Sequence, residues 1–276
     1  KGNDVLGWYA NKHQCSIDEA VVMLARRGGI TLKEKVVDPE AERFKTQVTD
    51  QNRAFYHALM QDKDALAYLH NRGIEHEDIG KWRIGMVPWD WKDQRYAGRI
   101  VFGMAELHWW EPAKAKTIAM AYRAREERDY LLHRIDVNDE KKRNYIMGAK
   151  YLNDPTSKIY EKSQYLYGLN EAVTHIRKEK CAIVVEGYTD VIGAHKNGLQ
   201  NVVACCGTAI TESHIEILKR YTDRVFMWLD GDAAGMKNMR RVIPLFLKHG
   251  INVMIVNSYG QDPSEMIEAG VDLRLY

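Results

Sequence analysis

Residues 181–190, CAIVVEGYTD, and residues 224–232, RVFMWLDGD, decide how this 276-residue chain folds. In each, a short apolar run ends on carboxylates set beside a glycine: Glu186 before Gly187, then Asp230 and Asp232 around Gly231. Apolar runs of this length, rich in β-branched residues, read as buried strands. NVVACC (201–206) and INVMIV (251–256) repeat the pattern, and residues 190–196, 212–221 and 234–248 carry helical spacing between the runs. Strands alternating with helices in this way imply right-handed crossovers and a largely parallel sheet. In such open α/β sheets the chemistry gathers at the strand ends.

The acids at those ends suit one site. Glu186 directly follows Val184–Val185, and Gly187 permits a tight turn after it. Asp190, four residues on, falls in the opening turn of the next helix, where exposed N–H groups favour a negative charge. Asp230 and Asp232 are two apart, so an extended backbone points them to the same side. Asp262 precedes Pro263, a pairing that suits the first turn of a helix, so Asp262 serves as a cap whatever else it binds. Carboxylates gathered this closely repel unless a divalent cation neutralises them. Magnesium or manganese, as two ions, would bridge them to substrate phosphates, activate an attacking hydroxyl and stabilise a leaving pyrophosphate. Gly207 and Thr208 follow a strand and either line this cleft or simply turn the chain.

Composition narrows the class. The apolar fraction of 45% and charged fraction of 28% are ordinary for a globular protein, and the length accommodates two modest domains. No apolar run approaches membrane-spanning length, and KGNDVLGWYANK lacks a signal-peptide core, so a soluble, cytoplasmic protein without a membrane partner is expected. Cys15, Cys181, Cys205 and Cys206 form no CxxC pair, and a structural zinc site is not expected; three of them read as small buried residues at strands. The net charge of +2 is unevenly spread: residues 81–180 carry 20 Lys/Arg against 14 Asp/Glu, while each flanking region is net negative. A basic region directly before an acid-rich one fits a polyanion held beside a metal site; a solvated basic surface is the plainer alternative.

Further upstream, Ser16 with Glu19 makes a capping box for a helix that stops at Gly28–Gly29. Helices are expected over 41–61 and 63–72, the second with Leu66, Tyr68 and Leu69 inward, and strands over 98–102, 117–121 and 130–135. Trp82 reads as core, whereas Trp109–Trp110 fits either packing or base stacking. His214 reads as structural or solvent-facing, and Met236, Met239 and Leu245–Leu247 as helix packing.

Together, EGYTDVI, CGTAITESHIEIL, WLDGDAAG and GQDPSEMI resemble the Toprim domain of bacterial DnaG-type DNA primases. Upstream, GRIVFGM, IAMAYRA, AKYLNDP and IYEKSQYLYGL resemble the basic subdomain of the same family, in the same order. The resemblance implies an α/β architecture: an N-terminal mixed α+β basic subdomain (31–178), then a Toprim domain with a largely parallel central sheet and flanking helices (179–276). Residues 1–30 resemble the helical tail that follows the family's zinc ribbon. It implies synthesis of short RNA primers on a single-stranded DNA template from ribonucleoside triphosphates. Glu186, Asp230 and Asp232 would be catalytic, with Asp190 and Asp262 as further metal ligands, and Glu186 either binds metal or takes a proton through water. Arg123, Lys150 and Lys162 would contact template, primer or nucleotide phosphates. A monomeric catalytic piece is implied, in a bacterium or in the host of a phage, with a replicative helicase as partner through a C-terminal region. One position departs: Ser264 stands where the family presents a second acid after Asp262. The competing readings are another Toprim phosphotransferase, such as a topoisomerase or nuclease, and a silent nucleic-acid-binding module. The basic blocks supply neither a strand-cleaving tyrosine nor a nuclease module, and the retained acids oppose the silent module.

Overall fold

Residues 1–40 form one unit and residues 41–276 a second. The computed structural model describes residues 5–13, 17–31, 38–108, 112–125, 148–205, 209–229 and 233–256. In the first unit, α1 (Val5–His13) packs on α2 (Ile17–Arg27) through Tyr9, Ala10 and Ala20, with Leu24 against them. α2 stops at Gly28–Gly29 as its sequence predicts, and Ile30 N–H donates back to Ala25 O at 2.8 Å. The capping box expected at Ser16 lies outside the described residues.

The second unit holds two sheets. Three helices, α3 (Pro39–Gln61, which starts at the unit boundary), α4 (Lys63–His70) and α5 (His76–Lys81), precede the first. Asp62 caps α4 by accepting from Ala65 N–H at 2.8 Å, and Leu69 is buried with Leu66 and Tyr68 half-buried beside it. The sheet runs β1 (Ile84–Met86), β2 (Ile100–Ala105), β3 (Thr117–Arg123), β4 (Tyr151–Asn153), in that spatial order and antiparallel throughout. β2 starts two residues later than its sequence suggests and extends further. β1 and β4 carry no sequence signal, being too short to show a period. The strand expected over 130–135 and the Trp109–Trp110 pair lie outside the described residues.

α6 (Leu169–Glu179) leads into the second sheet: β5 (Ala182–Val185), α7 (Tyr188–Lys196), β6 (Val202–Ala204), α8 (Glu212–Lys219), β7 (Arg224–Met227), α9 (Ala233–Lys248), β8 (Asn252–Ile255). Its order is β6-β5-β7-β8, with every pair of these strands parallel. The chain leaves β5 to one side for β6 and returns past it to β7, so the strand order reverses beside β5. That reversal opens a crevice at the strands' carboxyl ends, where Glu186 follows β5.

The LYGL segment belongs to this sheet. Tyr167 and Ala204 exchange both backbone hydrogen bonds, at 2.9 and 3.0 Å, which adds an antiparallel bridge to the edge strand β6. Gly168 then turns with φ of 80°, and a Cβ there would lie 2.6 Å from Val191 Cγ1. A larger residue would push α7 away.

One apolar cluster runs through both sheets, from Leu59, Trp82, Phe102 and Ala121 to Val185, Tyr188, Val202 and Trp228. Trp82 is buried in it as expected, stacked on Tyr167 and edge-on to His195. The expectation of helix packing for Leu245–Leu247 holds for Leu245 and Phe246 and fails for Leu247. Val242 and Phe246, four apart, face inward, while Leu247 is 58% exposed. The side chains of Met236 and Met239 lie outside the described residues. Cys205 is buried and Cys181 half-buried; Cys15 and Cys206 lie outside the described residues. Among the described residues, no helix is long and apolar enough to cross a membrane.

Candidate active site

The turn after β5 is built around one carboxylate. Asp190 Oδ2 accepts from Gly187 N–H at 2.9 Å, closing the first turn of α7 from inside, and the side chain is buried. A Cβ on Gly187 would lie 2.6 Å from that same oxygen, so only glycine lets the carboxylate fold back. The exposed amides of the helix start favour its charge. Asp190 is therefore a structural cap. Glu186, just before, is half-buried at the sheet edge.

α7 is moored to the antiparallel sheet through its first residue. Tyr188 Oη donates to Asn153 Oδ1 at 2.8 Å, and its ring stacks on Phe102 at 5.1 Å between centroids. Beside it lies Tyr151, whose ring centroid is 5.6 Å from that of Tyr188. Arg123, at the end of β3, is buried and donates from Nε to Tyr68 Oη at 2.9 Å and from Nη1 to Tyr151 Oη. Burial pushes the Tyr151 phenol up to about 12; the Arg123 guanidinium pulls it down, and the Asp190 carboxylate adds to the rise. Arg123 from the antiparallel sheet and Asp190 from the first turn of α7 thus act on the same hydroxyl.

Lys150 is exposed at the start of β4, and its backbone is held from beneath. Its carbonyl accepts from Ala124 N–H at 2.8 Å and from Arg99 Nη1 at 3.3 Å. Arg99 is fully buried and also donates to the carbonyls of Arg95, Tyr122 and Ala149. Lys162 is half-buried at the head of a three-residue 3₁₀ turn, Lys162–Gln164. Cys205, just past β6, lies beside the acid-bearing turn, with its Sγ 3.8 Å from the carbonyl of Val185, the residue before Glu186. Burial first, then the negative charge of Glu186, push its thiol up to about 12, while the Lys162 ammonium pulls the other way.

Of the residues singled out by sequence, Glu186, Gly187, Asp190, Arg123, Lys150 and Lys162 are described, and both sheets contribute to their surroundings. Asp230, Asp232, Asp262, Gly207, Thr208 and Ser264 lie outside the described residues. β7, which leads to Asp230, ends at Met227 parallel to and paired with β5. Among the described residues no group of three or more His, Cys, Asp or Glu side chains could hold a metal ion. The described donors at the edge, Glu186 and Asp190, are hard carboxylate oxygens, which fit magnesium or manganese rather than a thiophilic ion.

Four residues of the surroundings escape sequence reading: Arg99, Tyr68, Tyr151 and, in its full role, His214. Tyr151 stands next to Lys150 in the AKYLNDP block, where the charge draws the eye away from the ring. Arg99 opens an apolar run, and an arginine placed there is itself a signal of a buried bracket. His214 is fully buried rather than solvent-facing, and its structural reading holds. Its Nδ1 accepts from Thr211 N–H at 3.2 Å and its Nε2 lies 3.3 Å from Lys162 O.

Known proteins resemble this chain in sequence and fold. The family model for the Toprim domain matches residues 180–257. The DNA primase of Aquifex aeolicus is 29% identical over 280 residues, covering 97% of this chain and 54% of that protein. The chain thus spans about half the length of that curated relative. Among solved structures, the zinc-binding and RNA polymerase domains of the Aquifex aeolicus primase superpose with a TM-score of 0.68 at 26% identity, covering 100% of this chain and 69% of the other. A DnaG primase catalytic domain bound to single-stranded DNA shares the fold, with a TM-score of 0.68 at 23% identity over 86% of this chain and 78% of the other. With a parallel Toprim sheet, an antiparallel sheet bearing Arg123 and Lys150, and both in the family's order, the chain belongs to the DnaG-type primases and corresponds to their catalytic core.

Proposed function

We propose that this chain synthesises short RNA primers on single-stranded DNA by nucleotidyl transfer with release of pyrophosphate. The observation that supports this reading best is the mooring of the acid-bearing turn to the cation-bearing sheet: Tyr188, between Glu186 and Asp190, donates to Asn153 Oδ1 at 2.8 Å, and its ring lies 5.6 Å from that of Tyr151, the acceptor for Arg123. Carboxylates alone would serve any Toprim phosphotransferase. Cations from a second, antiparallel sheet are what a template and a nucleoside triphosphate require, and a solved DnaG catalytic domain of the same fold is bound to single-stranded DNA.

Glu186, Asp230 and Asp232, with Asp190 and Asp262 beside them, would hold two divalent ions. When bound, such ions lower the barrier to attack of a 3′-hydroxyl on an α-phosphate and stabilise the departing pyrophosphate. The chain's own residues do the rest. Arg123, fixed by two tyrosine hydroxyls, presents a rigid guanidinium fork to phosphate oxygens. Lys150 reaches from the solvent side as a flexible point charge, and Lys162 approaches from the edge of the parallel sheet. Gly187 keeps the backbone low enough for a phosphate to approach. Glu186 either binds metal or accepts the hydroxyl proton through water.

The test supplies purified protein with single-stranded DNA, ribonucleotides and Mg²⁺ or Mn²⁺. Short RNA that depends on the template supports the proposal, and Asp230→Asn or Asp232→Asn should abolish it while leaving the fold intact. Metal-dependent cleavage of DNA without nucleotide incorporation would instead identify another Toprim phosphotransferase.

A further inference from the structure

We propose that His214 is a positioning residue: the first turn of α8 is a bracket through which the parallel sheet sets Lys162 for its phosphate contact. The proposal rests on the primase reading for what Lys162 touches, and on the hydrogen bonds below for how it is held. Thr211 caps α8, and its Oγ1 accepts from His214 N–H at 3.2 Å while donating to Ser163 O at 2.5 Å. Thr211 N–H donates to His214 Nδ1, so the ring's proton sits on Nε2 and is donated to the Lys162 carbonyl at 3.3 Å. Two consecutive carbonyls of the 3₁₀ turn are therefore gripped by two side chains of one helix start.

A helix cap alone does not explain this residue choice. In a capping box a glutamate or glutamine at the third helical position suffices to satisfy the cap N–H. Here an imidazole fills that role with one nitrogen and reaches beyond the cap to Lys162 with the other. The ring is fully buried, and burial lowers its pKa, so it stays neutral and keeps the tautomer that makes both bonds. The turn it grips needs support, since three residues of 3₁₀ helix have little rigidity of their own. A shift of an ångström in the Lys162 backbone would carry the ammonium away from the reacting phosphates.

Two conservative variants separate positioning from capping. In His214→Asn the side-chain oxygen takes the place of Nδ1 and keeps the cap, but the side chain is too short to reach Lys162. In His214→Gln the amide nitrogen takes the place of Nε2 and keeps the reach to Lys162, but the cap acceptor is lost. Positioning predicts that His214→Asn weakens binding of a dye-labelled single-stranded oligonucleotide or a ribonucleoside triphosphate about tenfold, and raises KM more than it lowers kcat. His214→Gln should stay within about threefold of the wild type. In a Lys162→Ala background, itself weakened, His214→Asn should add nothing further. The reverse order of the two variants, additive effects in the cycle, or a Lys162→Ala protein that binds normally would overturn the proposal. Because the cycle is read by binding, it decides the role of His214 even if the wild type makes no RNA, an outcome that would count against the primase reading alone.

Discussion

At Gly187, a single missing methyl group shapes the site. The backbone amide of this residue and the Asp190 carboxylate close on each other across 2.9 Å, with space for nothing larger than hydrogen. Gly187→Ala should cost about 1–3 kcal/mol of stability, because the carboxylate must swing out or the turn must open. Turnover should fall about a hundredfold, since Glu186 and Asp190 are both displaced. Urea denaturation read beside a primer-synthesis assay would check this, and full activity in a destabilised protein would show that the turn is only scaffolding. Glu186, Gly187 and Asp190 were legible in the sequence because an apolar run that ends on an acid and a glycine has few structural explanations. Tyr68 and Tyr151 were not, because their use depends on Arg123, which is 55 and 28 residues away respectively. Periodicity carries no information at that range.

Among elements, the short strand β4 owes its place to Arg99. Three residues cannot specify their own pairing, and β4 is anchored where the Arg99 guanidinium collects the carbonyls of Ala149 and Lys150. Arg99→Met fills much of the volume and leaves those carbonyls without their buried donor. The expected loss is about 2–4 kcal/mol, with faster amide exchange over residues 149–153 than elsewhere in the sheet. Uniform exchange across the sheet would show that β4 is held by its ladder alone. The same shortness hid β1 and β4 from sequence reading, whereas β5 to β8 were legible as largely apolar runs alternating with helices, even though the two ends of β8 are exposed. α8 illustrates the intermediate case. Its helical spacing was plain, but nothing local to it says that its first turn grips residues almost 50 positions earlier.

For the second unit as a whole, the shared apolar cluster makes the two sheets a single thermodynamic body. Tyr188 touches Phe102, Tyr151 and Tyr167, so its ring is part of the join. Tyr188→Ala should cost about 3–5 kcal/mol, and probes in either sheet should report one coincident unfolding transition. Separate transitions would show that the sheets are independent. Acid stability carries a second signature of this join. Burial holds His195, which lies edge-on to Trp82, down at about 4 against 6.5 in a free side chain, while its bond to the Val202 carbonyl works the other way. As pH falls, unfolded molecules take up this proton first. The stability that neutral His195 contributes is whole above about pH 6.5 and drains away between about 6.5 and 4, by about 3 kcal/mol at most. Asp154 and Glu171, which burial raises, act in the opposite direction. The measurement is therefore a difference: between pH 7 and pH 4.5, the wild type should lose at least about 1 kcal/mol more in urea denaturation than His195→Gln does. Equal losses would show that another group governs the acid limb.

The Tyr167–Ala204 bridge orders events in time as well as atoms in space. A ribosome delivers Lys162 and Tyr167 well before Ala204, and the helix start that grips Lys162 emerges later still. The lysine must wait, unanchored, for its partners to be translated. A nascent chain or a prematurely ended product that stops short of Thr211 would thus lack both the side chains that hold Lys162 and much of the parallel sheet on which the antiparallel one packs. The hold on the Lys162 backbone is therefore a property of the finished polypeptide, never of its first three quarters.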